Sequence, residues 1–199
     1  IYDRLDLATN RNLSRIIFSG KEEDLMQTQN SQPAIMATSI AIFEAIKHEN
    51  LLKEESFNCV AGHSLGEYSA LVSLGSISFQ DALYLLHERG KSMQEAVPIG
   101  KGAMIAVLGS QIDEINSFLK KLITDGVCEI ANDNAVGQII ISGDIKTLDD
   151  FKNILKENKK KFIPLNVSAP FHCSLMKSAA MNMKDKINSC LLYTSPSPR

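Results

Sequence analysis

The spacing of hydrophobic residues divides the chain into two halves of different character. In the first half the apolar positions follow helical spacing, which predicts helices over about 34–47, 67–74 and 79–96. Pro33 suits the first turn of the first helix, and Ser78 is a typical cap for the third. Because the first helix has almost no polar face, we expect it to be buried. Its apolar residues are Ile35, Ala37, Ile40, Ala41, Ile42, Phe43 and Ile46.

From Gly102 onward, short apolar strands alternate with amphipathic helices. Strands are predicted at about 103–108, 127–131, 138–142 and 162–167, and helices at about 111–123 and 148–158. The order βαββαβ is typical of the ferredoxin-like split-βαβ module. We therefore predict an α/β fold in which a small ferredoxin-like domain, residues 101–166, is inserted into an α/β core formed by residues 1–100 and 167–189.

Composition and charge restrict the class of protein. The 199 residues are 44% hydrophobic and carry a formal net charge of -2, which is ordinary for a globular domain and offers no surface for nucleic acid. No apolar stretch is long enough to span a membrane, and no signal peptide is evident. The four cysteines, Cys59, Cys128, Cys173 and Cys190, lack the spacing of metal or thioredoxin-type sites. These features predict a cytoplasmic protein with reduced thiols, no metal site and no membrane or nucleic-acid partner.

The segment Gly62-His63-Ser64-Leu65-Gly66 carries the clearest chemistry. A predicted strand, 57–62, precedes it and a predicted helix follows it. A serine at the apex of such a turn is typical of the nucleophile elbow of acyl-transfer enzymes. Glycines two residues before and after it allow a close approach of the chain, and the helix directs N–H groups toward developing negative charge. The alternative is an ordinary turn in which Ser64 caps the helix.

A serine nucleophile needs a base, and His172 is the candidate. It follows a predicted strand and a turn at Pro170, in a loop of the kind in which catalytic groups often lie. A neutral imidazole near pH 7 is well matched to accepting a serine proton. The alternative, a histidine that only caps the following helix, is equally compatible with the residues themselves. The chain has three other histidines: His63 lies within the elbow, and His48 and His87 have polar neighbours on helices, which suggests surface positions.

Taken together, these segments resemble the malonyl-CoA:acyl-carrier-protein transacylases of type II fatty-acid synthesis. The resemblance extends over residues 1–189. It rests on Gln32-Pro33-Ala34, the run from Ala61 to Ala70, Arg89-Gly90-Lys91, the run from Met93 to Pro98, Gly137-Gln138 and the run from Ser168 to His172. The family fold implies a hydrolase-like, three-layer domain with a parallel sheet, into which a ferredoxin-like domain is inserted.

The resemblance also implies catalytic roles. Ser64 is the nucleophile that becomes malonylated, and His172 is its general base and later the acid for the leaving thiol. The backbone N–H of Leu65 is one oxyanion-hole donor. The reaction then has two halves, with malonyl-CoA as donor and the phosphopantetheine thiol of acyl carrier protein as acceptor. It needs no metal or redox cofactor.

Arg89 is implied to bind the free carboxylate of the malonyl group. A guanidinium pairs a carboxylate with two parallel hydrogen bonds, which suits a charged group in a partly dry pocket. Without the resemblance, Arg89 would be interpreted as a solvated helix residue. The further substrate-binding residues implied by the resemblance are Met93, Phe171 and His63.

Both ends of the chain depart from the family. The chain has no initiator Met and starts after the family's first strand and its Gly/Gln-rich turn, which supplies a second oxyanion donor. Residues 190–199 break the character of the preceding helix and resemble translated sequencing-adapter DNA. We expect a fragment that lacks both native ends and carries a non-native tail at 190–199.

Three rival functions stay open at this point. The first is an acyltransferase domain of a polyketide or multi-domain synthase, or an acyltransferase that loads another extender unit. The second is a serine esterase, and the third is a non-catalytic relative that only binds acyl carrier protein. Arg89 argues against the esterase, because a simple ester pocket has no use for a cation. An intact Ser64 and His172 argue against the non-catalytic relative. We further expect a monomer.

Overall fold

A computed structural model of the chain describes residues 1–52 and 58–190. These residues form two compact units. The first contains Ile1–Lys91 and the segment that begins at Met183, and the second is Ser92–Asn182. The second unit thus begins before and ends after the domain predicted at 101–166. The tail was predicted at 190–199, and all of it except residue 190 lies outside the described residues.

The elements alternate in type only in the second half of the chain. In chain order they are α1 (Tyr2–Thr9), α2 (Leu13–Ser19), α3 (Glu22–Met26), α4 (Thr28–His48), α5 (Gly66–Ser73), α6 (Phe79–Ala96), β1 (Gly102–Leu108), α7 (Ile112–Leu119), β2 (Cys128–Ala135), β3 (Gln138–Asp144), α8 (Ile145–Glu157), β4 (Lys161–Pro164), a 3₁₀ turn (Ser174–Met176) and α9 (Lys177–Asn188).

The first unit is helical, and its core lies between α4, α6 and the short N-terminal helices. Its fully buried apolar residues include Leu5, Met36, Ala37, Leu83 and Leu86. The predicted cap of α6 is confirmed: the Ser78 hydroxyl accepts a hydrogen bond from the Asp81 N–H at 3.0 Å. That bond satisfies one of the N–H groups that a helix start leaves unpaired.

Helix α4 differs from its prediction at its start and in its burial. It begins at Thr28, so that Pro33 lies inside the helix. Only one face of α4 is buried. Ile35 and Ile42 are 51% and 57% exposed, so the prediction of a helix buried on all sides is wrong for the described residues.

An internal proline normally disrupts a helix because it has no N–H to bond the carbonyl four residues earlier. Here that carbonyl belongs to Gln29, and the ring nitrogen Nδ1 of His87 lies 3.2 Å from it. A carbonyl can only accept, so His87 Nδ1 carries the proton. His87 is therefore a half-buried link between α6 and α4, not the surface residue expected from its neighbours in the sequence.

The second unit is built on an antiparallel four-stranded sheet with the strand order β2-β3-β1-β4. Together with α7 and α8 it has the predicted order of strands and helices. Some bounds differ: α7 ends at Leu119, and β2 continues to Ala135. Strand β2 is longer than predicted because it pairs with β3 as far as Ala135, opposite Gln138, and periodicity alone does not reveal this pairing.

Both faces of this sheet are covered. On one face α7 and α8 bury a cluster that includes Ile105, Val107, Ile141, Leu148 and Phe151. On the other face the segment 165–171 packs against Met104, Ala106 and Ile140. The alternation of side chains along a strand produces these two layers.

The first unit contains no strand among its described residues. The predicted strand 57–62 includes Phe57, which lies outside the described residues, and the described part, 58–62, has no ladder partner. A strand is stable only beside other strands. The parallel sheet implied by the family resemblance therefore stays a prediction.

Replacement of a core residue tests the packing of the second unit. Phe151 is fully buried, so Phe151→Ala should lower the free energy of unfolding by about 3–5 kcal/mol through lost burial and a residual cavity. Ile123 is 99% exposed, and Ile123→Ala should change it by less than about 0.5 kcal/mol. Urea denaturation of both variants provides the measurement. Equal effects would contradict the core described here.

Candidate active site

Ser64 lies on a strained, sharp turn immediately before helix α5. Its φ angle is 52°, in the left-handed region that residues with a side chain rarely adopt. The next N–H groups already bond in helical fashion, with Gly66 N–H donating to His63 O at 2.9 Å. Strain of this kind is typical of a nucleophile elbow. The N-cap residue of α5 is Leu65 rather than Ser64, which disfavours the alternative of Ser64 as a capping residue.

Gly62 makes the turn sterically possible. A Cβ atom at this position would lie 1.9 Å from the carbonyl carbon and oxygen of Gly66, well inside van der Waals contact. A Cβ at Gly66 would meet nothing within 4 Å. The two glycines of the motif therefore have different roles: the first allows the close approach of the backbone, and the second does not.

The guanidinium of Arg89 lies directly beside Ser64. Its Nη2 donates a hydrogen bond to Ser64 Oγ at 3.0 Å, and its Nη1 donates to Oε1 of Gln32. Arg89 is half-buried. Burial lowers the pKa of Arg89, while the nearby Tyr68 and Glu67 act in the opposite direction. An arginine keeps its charge at neutral pH, so a cation lies next to the candidate nucleophile.

Close packing of α6 on α4 fixes the position of Arg89. The next residue, Gly90, is so close to α4 that a Cβ would lie 2.5 Å from the Gln29 Cα and from the Thr28 carbonyl oxygen. Only glycine permits this separation without a shift of one helix. The contact brings the guanidinium within reach of Gln32.

Gln32 is a site residue to which the sequence analysis assigned no role. It is 4% exposed, and its Nε2 donates to Thr28 Oγ1 at 3.1 Å. That bond orients the amide so that its oxygen faces Arg89. The signal in the sequence was a polar residue beside Pro33 at the start of an apolar run.

The other elbow residues differ in exposure. His63 is exposed, and Leu65 is half-buried. Among the described residues no hydrogen bond involves the N–H of Leu65. This donor lies in the first turn before α5, where the helix dipole favours negative charge.

His172 belongs to the second unit, where it occupies another strained turn. Its φ angle is 58°, and the residue is exposed. Two hydrogen bonds close the turn around it: Phe171 N–H donates to Ala169 O at 3.1 Å, and Cys173 Sγ donates to Pro170 O at 3.1 Å. The turn thus holds the backbone of an exposed histidine.

Met93 and Phe171 come together in an apolar cluster of the second unit. Met93 is 7% exposed, and Phe171 packs against the buried cluster that contains it. The remaining buried members are Val97, Met176 and Ala179. Because Phe171 directly precedes His172, this cluster supports the backbone on one side of the candidate base.

The arrangement in the first unit combines a strained serine with a cation at hydrogen-bond distance. Such a pair can hold an acyl group that carries a second, negatively charged end. The part of the chain described here contains no group of three or more His, Cys, Asp or Glu side chains that could hold a metal ion. Within the same residues, none of the helices is both long enough and apolar enough to cross a membrane.

Comparison with known proteins defines the class. Residues 4–199 match the acyl transferase domain family, so the chain belongs to this family. Among curated relatives, the malonyl CoA-acyl carrier protein transacylase of Bacillus subtilis is 43% identical over 192 residues, which are 96% of this chain and 59% of that protein. The family resemblance drawn from the sequence is thereby confirmed.

Solved structures agree with the relatives. The acyl-carrier-protein-S-malonyltransferase from Bartonella henselae has a TM-score of 0.91 and 38% identity, over 98% of this chain and 62% of that one. A malonyl-transacylase solved with a type II polyketide acyl-carrier protein has a TM-score of 0.90 and 34% identity, over 96% and 62% of the two chains. The chain thus spans about three fifths of the length of these relatives.

The two glycines of the elbow offer a matched test of its geometry. Gly62→Ala forces a Cβ into the Gly66 carbonyl and should lower the free energy of unfolding by about 1–3 kcal/mol. Gly66→Ala should leave it unchanged or raise it, because alanine favours helix and the space is open. Denaturant unfolding of both variants is the measurement. A destabilised Gly66→Ala beside a stable Gly62→Ala would contradict the turn described here.

Proposed function

We propose that the protein transfers a malonyl group from malonyl-CoA to the phosphopantetheine thiol of acyl carrier protein, through a malonyl ester on Ser64. The observation that carries this proposal is the 3.0 Å contact between Arg89 Nη2 and Ser64 Oγ. A nucleophile whose immediate neighbour is a cation suits an acyl group with a free carboxylate. An ester without a second charge would gain nothing from that neighbour.

The reaction proceeds in two balanced steps. Ser64 Oγ attacks the thioester carbonyl, a carbon–oxygen bond forms, the carbon–sulfur bond breaks, and CoA leaves as a thiol. His172 accepts the serine proton and returns it to the leaving sulfur. In the second step the carrier-protein thiol attacks the ester, and His172 transfers the proton from this thiol to the departing Ser64 oxygen. Such a covalent intermediate implies ping-pong kinetics.

Stabilisation of the oxyanion falls to backbone groups. The Leu65 N–H precedes α5 at the positive end of its dipole. An oxyanion-hole donor of this kind is worth about 2.7–4 kcal/mol in comparable enzymes. We assign this donor to the carbonyl oxygen of the attacked thioester.

Arg89 and Gln32 select the substrate. Arg89 turns one nitrogen toward Ser64, while the other is held by Gln32, whose amide is itself fixed by Thr28. A guanidinium restrained in this way meets a carboxylate with little loss of side-chain freedom. We assign further substrate contacts to His63, Met93 and Phe171, as the family resemblance implies.

The finer features of the fold belong to the same proposal. The helical first unit corresponds to part of a hydrolase-like three-layer domain with a parallel sheet, and the antiparallel sheet with α7 and α8 to a ferredoxin-like module. The strand order β2-β3-β1-β4 supports the second assignment. We propose a monomer that works in the cytoplasm without a cofactor, since nucleophile, base and anion partner are all side chains.

Intact-mass spectrometry tests the proposal directly. The protein, expressed from its complete gene, is mixed with malonyl-CoA, and a malonyl adduct is expected on the parent and none on Ser64→Ala. Addition of carrier protein should remove the adduct from the parent. A parent that stays unlabelled would overturn the proposed function, and an adduct on Ser64→Ala would overturn the choice of nucleophile.

The Arg89→Ala variant tests substrate selection. Loss of a charge-assisted hydrogen bond costs about 1.5–3 kcal/mol, so kcat/KM for malonyl-CoA should fall about 10- to 100-fold. Acetyl transfer should rise, because an uncharged pocket accepts an uncharged acyl group. Arg15→Ala, which removes an exposed arginine of α2, is the control and should leave both rates unchanged. An unaltered malonyl preference in Arg89→Ala would remove Arg89 from its role.

A further inference from the structure

Glu129 faces the segment that carries the candidate base. In β2, Cys128 and Ile130 pack toward α7 and α8, whereas Ala131 packs on the opposite face with Phe171. Alternation along the strand puts Glu129 on the face of Ala131. The segment 165–171, which leads to His172, covers this same face.

The Glu129 carboxylate holds the chain just after His172. Its Oε2 accepts the Ser174 backbone N–H at 2.7 Å, and its Oε1 accepts the Ser174 hydroxyl at 2.7 Å. Both oxygens are thus used on one residue, two positions beyond the histidine. Such charge-assisted bonds are about twice as strong as neutral ones.

The contact also caps a helix start. Ser174 opens the 3₁₀ turn that leads directly into α9, so its N–H is one of the donors that a helix leaves without an internal partner. A carboxylate at this end is favoured by the helix dipole. The cap comes from a neighbouring strand rather than from the residue that precedes the helix, so it ties two separate elements together.

The geometry of His172 explains why such a tie matters. The left-handed region costs a residue with a side chain about 1–3 kcal/mol of strain, so the residue stays there only where surrounding contacts hold it. Before the histidine, buried Ala169 and Pro170 accept the two hydrogen bonds of the turn. After it, the Glu129–Ser174 pair adds a polar restraint from another element, beside the apolar packing of Met176.

We propose that Glu129 is a positioning residue for the transfer reaction: by binding both donors of Ser174 it holds the left-handed turn at His172, and with it the imidazole. This role rests on the proposed function, in which His172 is the base. Glu129 need not touch the substrate. Nothing in the sequence motif around His172 identifies Glu129, because Glu129 lies 45 residues before its partner Ser174 in the chain.

Three variants of the protein expressed from its complete gene test the role. Glu129→Ala removes both acceptors. Glu129→Gln keeps the length of the side chain and an acceptor for the Ser174 N–H, while its amide can donate to the hydroxyl. Asp133→Ala removes an exposed carboxylate from the same strand and is the control for charge. Labelling of Ser64 by malonyl-CoA is followed in single turnovers by intact mass, and kcat and KM are measured at steady state.

We expect Glu129→Ala to slow labelling about 10- to 100-fold at saturating malonyl-CoA, because a displaced base loses its alignment with the serine. KM should change less than about two-fold, since the anion site around Arg89 is untouched. Glu129→Gln should restore most of the rate, and Asp133→Ala should match the parent. A loss of folded protein would instead lower the labelled fraction and leave the rate of the remainder unchanged.

The outcomes separate the two proposals. If Glu129→Ala is labelled as fast as the parent, the role of Glu129 is overturned and the transfer reaction is unaffected. A Glu129→Gln variant as slow as Glu129→Ala, with both folded, would also overturn it. A parent without any malonyl adduct would overturn the transfer reaction, and the role of Glu129 would fall with it.

Discussion

The contact between α6 and the backbone of α4 at Gly90 is the constraint on which the candidate site depends. The absence of a side chain there lets the two helices approach until Arg89 reaches Gln32 and Ser64. Pro33 contributes to the same contact, because its missing N–H leaves the Gln29 carbonyl available to His87. One glycine and one proline, each unfavourable inside an ordinary helix, thus join two helices at the position where Arg89 reaches the candidate nucleophile.

Both candidate catalytic side chains occupy strained turns. Ser64 and His172 have φ angles of 52° and 58°, and each turn is fixed by a different device. At Ser64 the device is steric, since Gly62 allows the backbone to fold back on itself. At His172 it combines apolar packing before the histidine with a polar contact after it, since Phe171 packs on a buried cluster and Glu129 binds Ser174. In both cases the surrounding structure offsets strain that would not persist in an isolated peptide.

The sequence predicted the structure best where a local pattern was sufficient. The alternation of short strands and amphipathic helices predicted the order of elements in the second unit, because periods of 2 and 3.6 residues are local properties of the chain. The cap of α6 followed from Ser78 for the same reason. The start of α4 was misplaced, because a proline is expected in the first turn of a helix, where no carbonyl loses its partner. In α4 the ring of His87 binds the Gln29 carbonyl that Pro33 leaves without an N–H. The burial of α4 was overestimated. An apolar surface on all sides of a helix indicates burial, but it does not identify the elements that cover each side.

The sequence alone determined the order of strands and helices in the second unit and the membership of the acyl transferase family, and it predicted the sharp turn at Ser64, since these depend on residues adjacent or regularly spaced along the chain. The tertiary structure decided which side chains meet. Gln32 lies 57 positions from Arg89, and Glu129 lies 45 positions from Ser174, so no local motif could have paired them. Hydrogen bonds act over about 3 Å of space, whatever the distance along the chain, and only the packing of α4 on α6 and of the sheet on the segment 165–171 brings these atoms within that range.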